Sequence, residues 1–147
     1  MERVQKVTHV EHVLIRPDSY VGSVSQTGEQ YWTIEEGRFV NTPRKYSPAL
    51  LKIFDEVLVN AIDRNSTHPK EVKNIKATIT DESFSISNDG PLGGIEIQKH
   101  EKEGIWNPEL TFGHLLTSTN YNDDDQRVTG GRNGYGAKLA NIYASKF

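Results

Sequence analysis

Apolar residues recur at helical spacing in the segment "ALLKIFDEVLVNAIDR", which follows Ser47 and Pro48. Serine is a preferred N-cap residue, and proline is favoured at the first position of a helix. The pattern therefore predicts a helix that begins at Pro48 and buries one face. The residues that define this face are Leu50, Phe54, Val57, Leu58 and Ala61.

The period changes from 3.6 to 2 in other parts of the chain, which is typical of strands. The stretch "EQYWTIEEGRFVNTP" alternates aromatic or β-branched residues with polar ones and predicts a hairpin with its turn near Glu36–Gly37. In "NIKATITDESFSISNDG", a second strand pair is predicted around a turn at Asp81 and Glu82. The residues expected on its inner face are Ile75, Ala77, Ile79, Phe84 and Ile86.

Three shorter segments also favour helices. The first, "THVEHVLIR", is expected to stop where Arg16 precedes Pro17. The second is "PELTFGHLLTS", beginning at Pro108, and the third is "GAKLANIYASKF". These elements predict an α+β fold, a two-layer sandwich with helices on one face of a mixed, mainly antiparallel sheet. Since no closing strand follows the last helix, we expect the sequence to be a truncated part of a longer domain.

Composition excludes several classes of protein. Apolar residues make up 35% and charged residues 25% of the 147 residues, the balance of a soluble globular domain. No apolar run is long enough for a membrane span, and the N-terminus lacks the apolar core of a signal peptide. The absence of cysteine excludes disulfides and thiolate metal sites. A net charge of −3 predicts poor DNA binding by this chain alone.

Glu56, Asn60 and Asp63 form a polar stripe on the long predicted helix. Such a stripe is usually a solvated helix face. Asparagine and aspartate, however, are poor interior helix formers, and solvent faces more often carry lysine, glutamate and arginine. A carboxylate and a carboxamide one turn apart also suit a magnesium–nucleotide site, because an amide oxygen is a hard ligand and a carboxylate orients water.

Asn88 continues the inner face of its strand and is followed by Asp89 and Gly90. The segment is either an ordinary turn or the place where a side chain meets an adenine edge. Further on, "GRNGYGAK" places Gly131, Gly134 and Gly136 before a helix start, where backbone amides favour an anion. Lys138 stands one turn into that helix, within reach of the same anion. The glycines predict phosphate binding without identifying the nucleotide.

Five segments together resemble the ATPase domain of type IIA DNA topoisomerases of the eukaryotic kind, in the superfamily of gyrase, Hsp90, histidine kinases and MutL. They are "RPDSYVGS", "ALLKIFDEVLVNAID", "ISNDG", "NPELTFGHLLTSTNYNDDD" and "VTGGRNGYGAKLANIYASKF", in family order. The resemblance implies a Bergerat-type ATP-binding fold. It divides the chain into an N-terminal arm and strap, residues 1–22, and the N-terminal part of the ATP-binding domain, residues 23–147.

The same resemblance implies roles for individual residues. Glu56 is similar to the general base that orients the attacking water, Lys138 to a catalytic phosphate contact, and Asn60 to the Mg²⁺ ligand. Asn88 matches the adenine contact. The positions implied to bind ATP are Asn60, Asn88, Phe112, Ser118, Thr119, Asn120, Gly131, Arg132, Asn133, Gly134, Tyr135, Gly136, Ala137 and Lys138.

For the whole protein, the resemblance implies an ATP-hydrolysing gate that passes one DNA duplex through a transient double-strand break. ATP and Mg²⁺ would close a homodimer, other domains would hold double-stranded DNA, and no membrane would be involved. The expected location is the nucleus of a eukaryotic cell, or otherwise the interior of a host cell or a virion.

Two departures from the family pattern keep an alternative open. The family usually reads Lys or Arg and then Gly-Ile-Pro after "NDG", where this chain has "PLGGIE", and Arg64 replaces a frequent asparagine. The alternative is a non-catalytic or truncated ATP-binding module without independent topoisomerase activity. A chaperone or sensor-kinase module on the same fold is a further alternative. Metal binding by His9 and His12 is the last, although no third ligand is evident.

Overall fold

The computed structural model describes residues 5–90, 94–115 and 135–147. The backbone contacts divide the chain into two compact units, Met1–Lys52 and Ile53–Phe147, and each is described by itself. Within the described residues, no helix is long and apolar enough to cross a membrane.

The first unit begins with helix α1, His9–Ile15, as the sequence predicted. Thr8 and Glu11 form a capping box: the Thr8 hydroxyl accepts from the Glu11 amide, and the Glu11 carboxylate accepts from the Thr8 amide. A short 3-10 turn, Pro17–Ser19, follows. The buried apolar residues of this unit are Val13, Val21 and Ala49.

Strands β1, Thr27–Glu35, and β2, Arg38–Tyr46, form the predicted antiparallel hairpin. Its two-residue turn is at Glu36 and Gly37, whose φ angles are 49° and 76°. Positive φ at both turn positions matches the twist of a tight hairpin, which explains the glycine.

Helix α2, Pro48–Thr67, begins where the Ser47–Pro48 signal predicted. The Ser47 hydroxyl accepts a hydrogen bond from the Leu50 amide at 3.4 Å, so Ser47 acts as an N-cap. The predicted apolar face is only partly buried: Ala61 is buried, whereas Leu50 is 63% exposed. Leu50 therefore belongs to the apolar face by sequence but is not buried, whereas the neighbouring Ala49 is.

In the second unit, β3, Ile75–Ile79, pairs antiparallel with β4, Phe84–Asn88. The register places Ile75 opposite Asn88. Phe84 stacks edge-on against Phe54 of α2, with ring centroids 5.3 Å apart. α2 thus contacts the hairpin at Phe84, but the predicted inner face is only partly buried. Ile75, Phe84 and Ile86 are half-buried, whereas Ala77 is exposed and Ile79 is 68% exposed, so the assignment of these two residues to an inner face was wrong.

Helices α3, Asn107–Gly113, and α4, Gly136–Tyr143, complete this unit. Both end earlier than predicted, because His114 and Ala144 adopt extended conformations. Beyond α4, the Phe147 ring packs against the Phe112 ring of α3, with centroids 5.6 Å apart. Sequence periodicity carries no information on such a contact between residues far apart in sequence.

Candidate functional site

Glu56 and Asn60 lie one turn apart on α2, as their spacing requires. The Asn60 side-chain amide donates to the backbone carbonyl of Glu56 at 2.7 Å. This bond fixes the carboxamide on the helix surface and directs its oxygen away from that carbonyl. Asn60 therefore presents the atom type that binds hard cations such as Mg²⁺.

The start of α4 approaches this pair directly. A Cβ atom built on Gly136, the first residue of α4, would lie 3.7 Å from the Asn60 amide nitrogen and 3.7 Å from a carboxylate oxygen of Glu56. The φ angle of Gly136 is 23°, which favours glycine. Gly136 is separated in sequence from Asn60 by 76 positions and from Glu56 by 80, and the fold brings these three residues together.

Lys138 belongs to a buried part of α4, together with Ala137, Leu139 and Ala140. It is 7% exposed, and this burial lowers the pKa of its ammonium group. Taking an ammonium group out of water costs free energy, and a nearby anion offsets that cost. A lysine in this position near a helix N-terminus favours binding of a multiply charged anion.

Asn88 ends β4 on the same strand face as Phe84 and Ile86, and all three are half-buried. Because Phe54 of α2 contacts Phe84 on this face, the Asn88 side chain lies on the face of the hairpin that meets α2. The register and the ring contact therefore place a carboxamide at the strand end, on the same side as the helix that carries Glu56 and Asn60.

Phe112 belongs to α3, and Tyr135 directly precedes α4. The backbone carbonyl of Phe112 accepts from the Asn141 side chain at 2.9 Å, which ties α3 to α4. Tyr135 precedes α4, and its carbonyl accepts from the Lys138 amide at 2.9 Å. These contacts hold α3 against α4 and start the α4 helix at its glycine.

Several predicted positions lie outside the described residues, and their roles remain predictions. They are Ser118, Thr119, Asn120, Gly131, Arg132, Asn133 and Gly134.

The histidine pair of α1 has a different arrangement from a metal site. His12 Nδ1 forms a hydrogen bond of 2.7 Å with the Tyr20 hydroxyl, and the two rings meet edge to face. Among the residues with described coordinates, no three histidine or acidic side chains are grouped to hold a metal ion.

Sequence reasoning missed the role of Asp89. Its carboxylate accepts hydrogen bonds from the backbone amides of Lys73 and Asn74, at 2.7 and 2.9 Å, and from the Asn74 side chain at 2.6 Å. The only signal in the sequence was the Asn-Asp-Gly composition, which indicates a turn but not which distant segment the aspartate holds.

Comparison with known proteins gives a consistent result. No family model matches the chain. DNA topoisomerase 2 of Candida glabrata is 49% identical over 150 aligned positions, which cover 99% of this chain and 10% of that protein. The chain therefore spans about a tenth of the length of this curated relative.

Two solved structures share the fold. The ATPase region of Saccharomyces cerevisiae topoisomerase II matches with a TM-score of 0.90 at 46% identity, over 97% of this chain and 38% of that chain. The ATPase and transducer domains of DNA topoisomerase II from Balamuthia mandrillaris match with a TM-score of 0.89 at 50% identity, over 95% and 36% of the two chains. The predicted resemblance and the predicted α+β class are both confirmed.

Proposed function

We propose that this chain, which shares sequence and fold with the ATPase region of eukaryotic topoisomerase II, is an ATP-binding and ATP-hydrolysing module. One observation carries the proposal: Gly136, at the start of α4, lies against Glu56 and Asn60 of α2. A helix N-terminus that favours phosphate is thereby next to a carboxylate and a carboxamide. These are the groups that phosphoryl transfer to water requires.

The residues present fit a magnesium–triphosphate. The Asn60 carboxamide oxygen would hold Mg²⁺, which would neutralise charge on the phosphates when bound. The amides at the start of α4 and the Lys138 ammonium would bind the phosphate oxygens. Their positive charge would meet the charge on the transferring group, which supplies most of the catalysis in such reactions.

Glu56 would orient the attacking water. A carboxylate is too weak a base to remove a proton from water before attack, so its contribution is geometric until late in the reaction. The water oxygen then forms a bond to the terminal phosphorus, the bond to the bridging oxygen breaks, and the water proton passes to Glu56. General base catalysis of this kind contributes about 10²–10⁴-fold.

At the base end of the nucleotide, Asn88 would meet the adenine edge, with Phe112 contributing to the wall of the pocket. The segment from Ser118 to Asn120 would contact ribose and phosphate, and the glycine segment from Gly131 would cover the triphosphate. These assignments rest on the sequence resemblance.

For the complete protein, ATP binding would close a homodimer around a DNA duplex, which is then passed through a transient break in a second duplex. The N-terminal arm, residues 1–22, would reach across to the partner. The net charge of −3 supports a DNA site elsewhere in the protein. The protein would act in the nucleus of a eukaryotic cell.

The test is a comparison of Glu56→Gln and Asn60→Ala with the unchanged protein. We expect Glu56→Gln to keep Mg-ATP binding and lose about 10²–10⁴-fold in turnover. Asn60→Ala should weaken the binding of Mg-ATP, because a metal ligand is lost. Binding is measured with a fluorescent ATP analogue, and turnover by phosphate release from the protein of full natural length.

Asp55→Asn is a matched control, because Asp55 is an exposed carboxylate next to Glu56 on the same helix. It should leave both binding and turnover unchanged. If Glu56→Gln also leaves turnover unchanged, Glu56 is not the general base. Tight Mg-ATP binding without turnover in the unchanged protein would favour the alternative, a non-catalytic ATP-binding module.

A further inference from the structure

Asp89 makes four hydrogen bonds to a two-residue segment between α2 and β3. One carboxylate oxygen accepts from the amides of Lys73 and Asn74, at 2.7 and 2.9 Å. The other accepts from the Asn74 side chain at 2.6 Å, and the Asp89 amide donates to the Asn74 carbonyl at 3.2 Å. These hydrogen bonds lower the pKa of Asp89 below its usual range. The largest effect comes from the Asn74 backbone, followed by the Asn74 side chain and the Lys73 backbone.

The segment that Asp89 holds is anchored in turn to the end of α2. Val72 is fully buried, and its amide donates to the His68 carbonyl at 2.9 Å. The Val72 carbonyl accepts from the side chain of Asn65, on the last turns of α2, at 2.5 Å. A chain of hydrogen bonds therefore connects the end of β4 to the helix that carries the proposed phosphate and magnesium residues.

Asn88 and Asp89 are adjacent in sequence, and their side chains point in opposite directions. Successive side chains of an extended strand point to opposite faces. Asn88 is half-buried on the α2 side of the hairpin, whereas Asp89 points to the α2–β3 segment and bonds to it. Asn88 and Asp89 thus have different surroundings, and the contacts of Asp89 fix the backbone that carries Asn88.

We infer that Asp89 is a positioning residue for base selection: it holds Asn88 at a fixed place relative to α2. The inference rests on the proposed function, since base selection requires a bound nucleotide. A carboxamide distinguishes adenine from guanine only if its donor and acceptor are held within about 0.5 Å of the productive geometry. Phosphate binding depends on α4 and Asn60, which Asp89 does not contact in the described residues.

The test uses a reciprocal exchange of the Asp89–Asn74 pair. In Asp89→Asn, the carboxamide oxygen keeps the two backbone bonds, and the Asn74 side chain has to rotate by about 180° to accept a hydrogen bond from the new amide group. In Asn74→Asp, two carboxylates face each other. The double variant, Asp89→Asn with Asn74→Asp, restores a donor opposite an acceptor, with the roles exchanged.

Dissociation constants are measured for Mg-ATP, Mg-GTP and Mg-tripolyphosphate with the protein of full natural length. We expect Asn74→Asp to lose roughly threefold to tenfold in affinity for ATP, corresponding to one lost hydrogen bond, and Asp89→Asn to lose less. Affinity for tripolyphosphate should be unchanged, so the preference for ATP over GTP narrows. The double variant should recover most of that preference.

Thr80→Val is the matched control, because the Thr80 hydroxyl accepts from the amides of Glu82 and Ser83, at 3.3 and 3.0 Å, at the other end of the same hairpin. It should lower the melting temperature without changing the ATP-to-GTP ratio. Equal losses for ATP, GTP and tripolyphosphate in Asn74→Asp would show a merely structural role and overturn the inference. Unchanged affinities in Asn74→Asp would overturn it as well. If the unchanged protein binds no Mg-ATP, the proposed function fails first, and the inference fails with it.

Discussion

Replacing Gly90 by alanine tests how closely the turn after β4 approaches the α2–β3 segment. Gly90 has a φ angle of 88°, in the region that favours glycine. A Cβ atom at this position would lie 2.7 Å from the carbonyl carbon of Glu71 and closer still to its oxygen. Both are backbone atoms, so no side-chain rotation relieves the clash.

The expected loss of stability has two parts. Left-handed backbone in an alanine costs about 1–2 kcal/mol. Displacing packed backbone to admit a methyl group costs about 1–3 kcal/mol more. Together these predict about 2–5 kcal/mol, and at about 2–4 °C per kcal/mol the melting temperature should fall by about 4–20 °C.

Gly104→Ala and Gly37→Ala separate the two parts. Their φ angles are 70° and 76°, and a Cβ atom at either would meet nothing within 4 Å. These two variants should lose only the stability that corresponds to the left-handed backbone, about 1–2 kcal/mol. The reduced entropy of the unfolded chain, which favours every Gly→Ala variant, is the same in all three and cancels in the comparison. Thermal unfolding by circular dichroism and urea titration measure the difference. If Gly90→Ala is no more destabilising than Gly104→Ala, the close approach to Glu71 is wrong.

Two further predictions concern charge. Lys138→Met removes a buried ammonium group at similar volume, so triphosphate affinity should fall roughly 10- to 100-fold. Nucleotide titration measures this affinity, and an unchanged affinity would contradict the role of Lys138 in phosphate binding. The Tyr46 hydroxyl raises the pKa of Tyr31 to about 12. Since the unfolded value is about 10, this stabilisation is complete below about pH 10 and disappears as the pH rises towards 12. In urea unfolding, the Tyr31→Phe variant should therefore lose less stability between about pH 10 and pH 12 than the unchanged protein does. An identical loss in the two proteins would refute the raised pKa of Tyr31.

The local sequence pattern was sufficient to predict which helices and strands form, but not where the short helices end. The Ser47–Pro48 signal and the turn at Glu36–Gly37 depend on neighbouring residues only, and both were predicted correctly. The helices α3 and α4 end earlier than predicted, since His114 and Ala144 adopt extended conformations. The contact between Phe112 and Phe147, which lie far apart in sequence, is likewise not specified by a periodic pattern.

The same distinction applies to the candidate site. The spacing of Glu56 and Asn60 on one helix follows from helix geometry alone, and was predicted. That Gly136 lies against them depends on how α4 packs, which periodicity does not specify. Asp89 shows the limit most clearly, because its partners Lys73 and Asn74 belong to a segment with no regular pattern.

Helix α2 connects the two ends of the proposed nucleotide site. Its middle carries Glu56 and Asn60, close to the start of α4, and its last turns hold the α2–β3 segment through Asn65. That segment holds Asp89, and with it the strand end at Asn88. The phosphate end and the base end are thus positioned by different contacts of one rigid helix. Because these contacts involve different residues of α2, substitutions at the two ends should have additive effects on ATP affinity.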